Sequence, residues 1–349
     1  MKKEHELILK GVLINKSEIE VKQIDEILNG KISWAEVGGV LINHRLGGYF
    51  YKGLTKVQRE RLPKEMLIVL KMIVRAQKKK QLKLIAEIKR INDELMTTDI
   101  HYAALKGAFF SCDMYEIGSR RSNDIDLLVY EEDLDALDIS MKKLGYIQSN
   151  MPNGELVEAT KKEKMIQRMN YHDLVPYVKA FDDGYLEIDI NFLFDNKDNI
   201  IDKDVYDLGT QLYKGRNYDI IALNVYTNLA HLCAHFYREA TNTIWTEGKR
   251  DVTLYKIVDI INYIRYYGRE IDINKFIKVI EKLNLKDKVF YTFNIMKEFY
   301  DLTFIDEVNA LIKSDKYNDD FMNKIYDHRS KDVIMRNESF YETAFSCID

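Results

Sequence analysis

Residues 104–130, ALKGAFFSCDMYEIGSRRSNDIDLLVY, hold two carboxylates one residue apart, Asp124 and Asp126, at the head of the apolar run Ile125, Leu127, Leu128 and Val129. Such a run reads as a buried strand. Alternate strand side chains point to opposite faces, so Asp124 and Asp126 share one face while Ile125 and Leu127 take the other. Two anions side by side at the mouth of an apolar core repel each other and resist desolvation. A bound divalent metal ion is the natural remedy, and any fold of this chain has to provide for it.

The rest of the composition narrows what can surround that strand. A chain of 349 residues with 46% hydrophobic content can bury a sizeable core and has the length of two or three domains. Only 3 Pro and 16 Gly stand among many Leu, Ile, Lys and Glu, which points to a largely helical protein. With a net charge of -4 and a pI near 6.1, no global positive field gathers nucleic acid, so long polyanions are poor partners. Cys112, Cys233 and Cys347 are scattered and odd in number, as expected of reduced thiols rather than a disulfide framework or zinc site. No stretch approaches the length of a membrane span, and the expected location is the cytoplasm.

Residues 1–98 carry helical spacing. Ile24, Ile27 and Leu28 precede the stop Asn29-Gly30, and Ser33 stands as a cap before Trp34, Val37 and Val40. His44, Arg45, Gly47, Gly48 and Tyr49 read as a tight connection between helices. Pro63 opens a long amphipathic stretch to Thr98, on which Lys78, Lys79 and Lys80 read as a solvated face. Ile100 to Leu105 then reads as a strand, and Ala108 to Tyr115 as a helix, joined by Lys106-Gly107. Amides at a helix start can hold phosphate oxygens, and glycine lets a ligand approach closely. Arg120 and Arg121 stand near the two acids as salt-bridge partners or as substrate ligands, with neither favoured. The helical spacing resumes from Glu131 to Leu144 and ends at Gly145.

Further on, Leu174–Phe181 and Tyr185–Phe194 flank Asp182-Asp183-Gly184, a hairpin pattern. On its second strand Glu187, Asp189 and Asn191 alternate with Leu186, Ile188, Ile190 and Phe192. If that strand lies beside the first acidic one, Asp189 joins Asp124 and Asp126. Three carboxylates on neighbouring strands suit two Mg²⁺ ions about 4 Å apart, one activating an attacking oxygen and the other holding a triphosphate. Beyond Asn196 the expected structure is helical. His231 and His235 lie four apart on one helical face, read as packing or ligand contact rather than metal binding. Lys256 and Asp259 lie on a further helix, either as a candidate triphosphate ligand with its orienting partner or as an ordinary exposed pair.

The order LKG, GSRRSNDIDLLV, LEIDINF resembles the polymerase-β-type nucleotidyltransferase superfamily, and within it the bacterial group of uncharacterised nucleotidyltransferases. The resemblance places Lys106 and Gly107 at the nucleotide-phosphate turn, Arg120 at the loop arginine, Asp124 and Asp126 at the metal pair and Asp189 at the third carboxylate. His172 matches a histidine common before the hairpin. Two positions depart from the pattern: Gly107-Ala108 replaces Gly-Ser or Gly-Gly, and Asn191 replaces a histidine.

The expected architecture is α+β, a small mixed sheet forming a nucleotidyltransferase core at 99–196, with helical regions at 1–98 and 197–349. The activity the resemblance implies is Mg²⁺-dependent (or Mn²⁺-dependent) transfer of a nucleoside monophosphate, AMP by default, from a nucleoside triphosphate to a hydroxyl-type acceptor, with pyrophosphate released. Asp124, Asp126 and Asp189 would hold the metals, and Lys106, Gly107, Arg120, Arg121 and Lys256 would bind the nucleotide. The acidic pI favours a small-molecule or protein acceptor. The alternative from another class is a catalytically silent nucleotide-binding protein or a toxin–antitoxin partner.

Overall fold

A computed structural model of the chain describes residues 1–195, 205, 208–327, 330 and 332–346; Asn196 and Cys347 lie outside them. The fold is α+β, with helical N- and C-terminal regions and a mixed seven-stranded sheet. The chain divides into two compact units. One comprises Met1–Ala76, Gly118–Arg120 and Leu229–Asp349, and the other Gln77–Ile117 and Arg121–Asn228.

The second unit holds the whole sheet. Its strands are β1 (Tyr102–Ala104), β2 (Asp124–Val129), β3 (Ile147–Gln148), β4 (Tyr177–Phe181), β5 (Gly184–Asn191), β6 (Thr210–Lys214) and β7 (Asp219–Leu223). Their spatial order is β3-β4-β5-β2-β1-β7-β6. At the centre, β2 runs antiparallel to β1 and parallel to β5. Ile125, Leu127, Leu128 and Val129 are buried, so apolar side chains cover both faces of β2 and only its first residue is partly open. The expected hairpin forms: Phe181 pairs with Gly184 across Asp182-Asp183, and Gly184 takes φ 129°, where a side chain would be strained. The helix at Leu134–Lys143 ends as the sequence indicates, with Gly145 at φ 86°.

Two departures stand out in this unit. The helix after β1 spans only Lys106–Phe110, shorter than the apolar run had indicated, because turns replace it from Ser111. Strands β6 and β7 lie beyond residue 196, where helices were expected. The apolar residues Ile220 to Leu223 run almost directly into those of the helix Val225–Ala240, with neither Pro nor Gly between. The break is made by Asn224, whose Oδ1 accepts from the amides of Tyr226 and Thr227 at 3.0 Å each.

Among its described residues the first unit has no strands in a sheet beyond the short hairpin Lys324–Tyr326/Val333–Met335, and it is assembled from both ends of the sequence. His44 joins them: Nδ1 accepts from the Leu254 amide at 3.1 Å while Nε2 donates to Ala344 O at 2.6 Å. Using one ring nitrogen each way requires neutral imidazole, and burial pushes its pKa down to about 4. Asn262 adds a second tie, accepting from Ile14 N at 3.0 Å and donating to Val12 O at 3.2 Å. The His44–Tyr49 cluster is thus more than a connection, since Gly47–Gly53 is itself a helix. That helix meets Lys3–Gly11 so closely that a Cβ on Gly53 would stand 2.0 Å from the carbonyl oxygen of Gly11. Gly53→Ala must therefore force the two backbones apart. The expected cost is about 1–3 kcal/mol, read as a lower urea midpoint with the slope unchanged; an unaltered midpoint would show that the helices part freely.

Candidate functional site

The register between β2 and β5 sets the geometry of the acidic cluster. Asp126 pairs with Asp189 and Asp124 with Glu187. Parallel neighbours lie about 4.8 Å apart, and paired residues project to the same side. Asp124, Asp126, Glu187 and Asp189 therefore share one face of the sheet. Asp126 is 5% exposed, whereas Asp124 and Asp189 are partly open and Glu187 is exposed. Further along that face the acids give way to Leu128 and Asn191, a register pair, and Asn191 Nδ2 donates to Leu127 O at 3.4 Å. At the position where the resemblance has a histidine, this side chain ties strand to strand.

Burial raises the Asp189 carboxyl to about 7, and the charges of Asp126 and then Asp124 add to the effect, with Lys106 opposing it. Lys106 supplies the positive charge inside the cluster. Its Nζ lies 2.8 Å from Asp126 Oδ1, and its backbone adopts φ 39°, a left-handed conformation that costs a lysine energy. The amides of Ala108 and Phe109 donate to Leu105 O at 3.1 and 3.3 Å, and Leu105 N donates to Asp126 O at 3.0 Å. The turn is thereby fastened to β2, and Lys106 is directed at the acid.

Arg120 and Arg121, neighbours in sequence, belong to different units. Arg120 is buried, with its Nε 2.9 Å from Asp259 Oδ2, and Tyr49 OH donates to Asp259 Oδ1 at 2.8 Å. Burial alone lowers the pKa of the guanidinium, but the Asp259 carboxylate outweighs it and the net shift is upward. Lys256, also buried, pairs with Glu239 and lies over the Trp245 ring at 5.0 Å from its centroid. His235 Nε2 is 3.6 Å from Glu239 Oε1, and the His231 and His235 rings are 6.3 Å apart. The main-chain carbonyl of His172 accepts from Phe192 N at 3.0 Å.

Two participants are not evident from sequence spacing. Glu187 is exposed, and only the pairing partner of β5 reveals that it stands across from Asp124. Tyr49 has no local signal at all, because its partner Asp259 lies 210 residues away.

Carboxylate oxygens are the donors that Mg²⁺ and Mn²⁺ take, and the burial and mutual repulsion that raise Asp189 are what a cation would offset. Among the described residues no three His, Cys, Asp or Glu side chains form a ready-made metal cage. Mg²⁺ rarely uses one, keeping water and phosphate oxygens in several positions. The donor set therefore fits such an ion in kind, with Asp126 turned toward Lys106.

Two outcomes follow. The folded protein binds a proton at Asp189 more tightly than the unfolded chain, where the carboxyl titrates near 3.8. The resulting stabilisation is complete below about pH 4 and is lost as pH rises through 7. In chelator, the urea midpoint of Asp189→Asn is expected to gain on the wild type between pH 4 and pH 8; a pH-independent difference would contradict the shift. Removing one partner of the buried pair, as in Asp259→Ala, is expected to cost about 3–5 kcal/mol by the same measurement, and a loss below about 1 kcal/mol would mean that Arg120 is solvated.

A family model described as uncharacterised nucleotidyltransferase matches residues 30–301, most of the chain. No curated protein and no solved structure shows a significant match. The matched region contains every strand of the sheet and all four carboxylates of its acidic face, and the chain belongs to this nucleotidyltransferase family.

Proposed function

We propose that the protein transfers a nucleoside monophosphate, AMP by default, from a nucleoside triphosphate to a hydroxyl-type acceptor on a small molecule or protein, releasing pyrophosphate. The family implies a nucleoside triphosphate substrate. The observation that carries the finer reading is the Asp126–Asp189 register pair with Asp124 on the same face. In this reading Asp124, Asp126 and Asp189 would hold two Mg²⁺ ions, or Mn²⁺ in their place. Bound there, divalent ions supply charge neutralisation and lower the pKa of the attacking oxygen.

The side chains perform the remaining tasks. Asp189, on the same face as Asp124 and Asp126, would take the proton that the acceptor gives up. Lys106 gives up Asp126 and turns its ammonium to the phosphates, with Gly107 allowing close approach. The Ala108 and Phe109 amides are already used by Leu105 O, so phosphate contacts of this turn fall to Lys106 and Gly107. The resemblance puts Arg120 at the loop arginine, and its neighbour Arg121, in the unit that holds the acidic face, is the one we assign to the triphosphate. Arg120 and Lys256 stay candidate nucleotide ligands, each paired within its own unit, Arg120 with Asp259 and Lys256 with Glu239.

The acidic net charge favours a small or protein acceptor over nucleic acid. Among the described residues no helix is long and apolar enough to cross a membrane. Cys112 and Cys233 are free and buried, and burial pushes the Cys112 thiol up to about 12. Unreactive thiols of this kind suit the cytoplasm, where we place the protein.

The test is to incubate the protein with Mg²⁺ and each labelled triphosphate and to follow pyrophosphate release. Asp124→Ala and Asp126→Ala are each expected to lower metal-dependent release at least 100-fold while the fold persists by circular dichroism. Unchanged turnover in either variant would rule out this site as the source of activity.

A further inference from the structure

Lys80 lies in the lysine run that reads from sequence as a solvated face, yet its surroundings set it apart from its neighbours. Its Nζ donates to Asn123 Oδ1 at 2.9 Å, and Arg121 Nε donates to the same oxygen at 3.3 Å. Two cations thus converge on one amide oxygen, in the residue that directly precedes Asp124. Burial lowers the Lys80 pKa, and Arg121 lowers it further, while Asp124 and Glu187 oppose the shift. The acids and the second cation are therefore all within electrostatic reach of this ammonium.

The helix Lys64–Leu95 is fastened where Lys80 sits. The adjacent Gln81 is 1% exposed and donates to Ser111 Oγ at 3.0 Å, just beyond the Lys106–Phe110 helix. Lys83 pairs with Asp183 in the β4–β5 turn. Lys79, by contrast, is 81% exposed and reaches Asp183 only at 3.7 Å. All three lysines of the run are exposed, but Lys80 is held to the residue before Asp124, whereas Lys79 reaches only the β4–β5 turn.

We propose that Lys80 and Arg121 form the binding site for the outer phosphates of the triphosphate, and so for the pyrophosphate that leaves. This rests on the nucleotidyl-transfer reading. Paired cations held beside a carboxylate cluster suit a ligand that is itself polyanionic and brings divalent ions to the carboxylates. On binding, the phosphate oxygens take the place of Asn123 Oδ1 as acceptors for both side chains. No covalent bond to Lys80 forms or breaks.

Calorimetric titration of inorganic pyrophosphate in Mg²⁺ tests this without knowledge of the base or the acceptor. Lys80→Gln is expected to weaken pyrophosphate binding by about tenfold or more, Lys80→Arg to restore most of it, and Lys79→Gln to leave it unchanged. The loss should shrink as salt rises, which a merely structural lysine would not show. If the wild type binds pyrophosphate and turns over a triphosphate while Lys80→Gln binds equally well, the assignment of Lys80 is wrong and nucleotidyl transfer stands. If the wild type neither binds pyrophosphate nor turns over any triphosphate, both are overturned.

Discussion

The parallel pairing of β2 with β5 is the constraint on which the rest of the site depends. Slipping that pairing by one residue would turn Glu187 and Asp189 to the opposite face, among Ile125 and Leu127. The apolar residues forbid such a slip, since Ile125, Leu127, Ile188 and Ile190 are all at most 2% exposed. Burying each contributes about 1.5–3 kcal/mol. Hydrophobic burial thus fixes a register that electrostatics alone would oppose, and the strain appears in the raised pKa of Asp189. Lys106 relieves part of it through its ion pair with Asp126, at the cost of a left-handed backbone.

The positive charges around the loop before β2 divide their work. Arg120 belongs to the helical unit, where Asp259 neutralises it and Tyr49 donates to the other carboxylate oxygen. Such a pair contributes little net stability compared with well-packed apolar residues, but it ties Gly118–Arg120 to one arrangement. Arg121 and Lys80 meet at Asn123 instead. A solvated guanidinium and a buried one thus follow each other in sequence, which composition and spacing could not distinguish.

Much of the sheet was legible because its signals are local. The alternation of Glu187, Asp189 and Asn191 with isoleucines marked β5, Gly145 marked a helix end, and Asp182-Asp183-Gly184 marked the hairpin. The resemblance identified Asp124, Asp126 and Asp189 as a set, and the register shows how Asp126 and Asp189 come to be neighbours. What stayed hidden depends on distant partners. Strands β6 and β7 were masked by an apolar run that continues into a helix, with Asn224 as the only stop. Tyr49 and Asp259, Lys80 and Asn123, and His44 and Ala344 are separated by 210, 43 and 300 residues, and no periodicity links them.

The most direct measurement is a crystal structure with Mg²⁺ and a non-hydrolysable nucleoside triphosphate. Density for divalent ions bridging Asp124, Asp126 and Asp189 to the phosphates, with Lys106 released from Asp126, is the expected result. Nucleotide bound elsewhere, or an unchanged Lys106–Asp126 pair beside a metal-free acidic face, would contradict it.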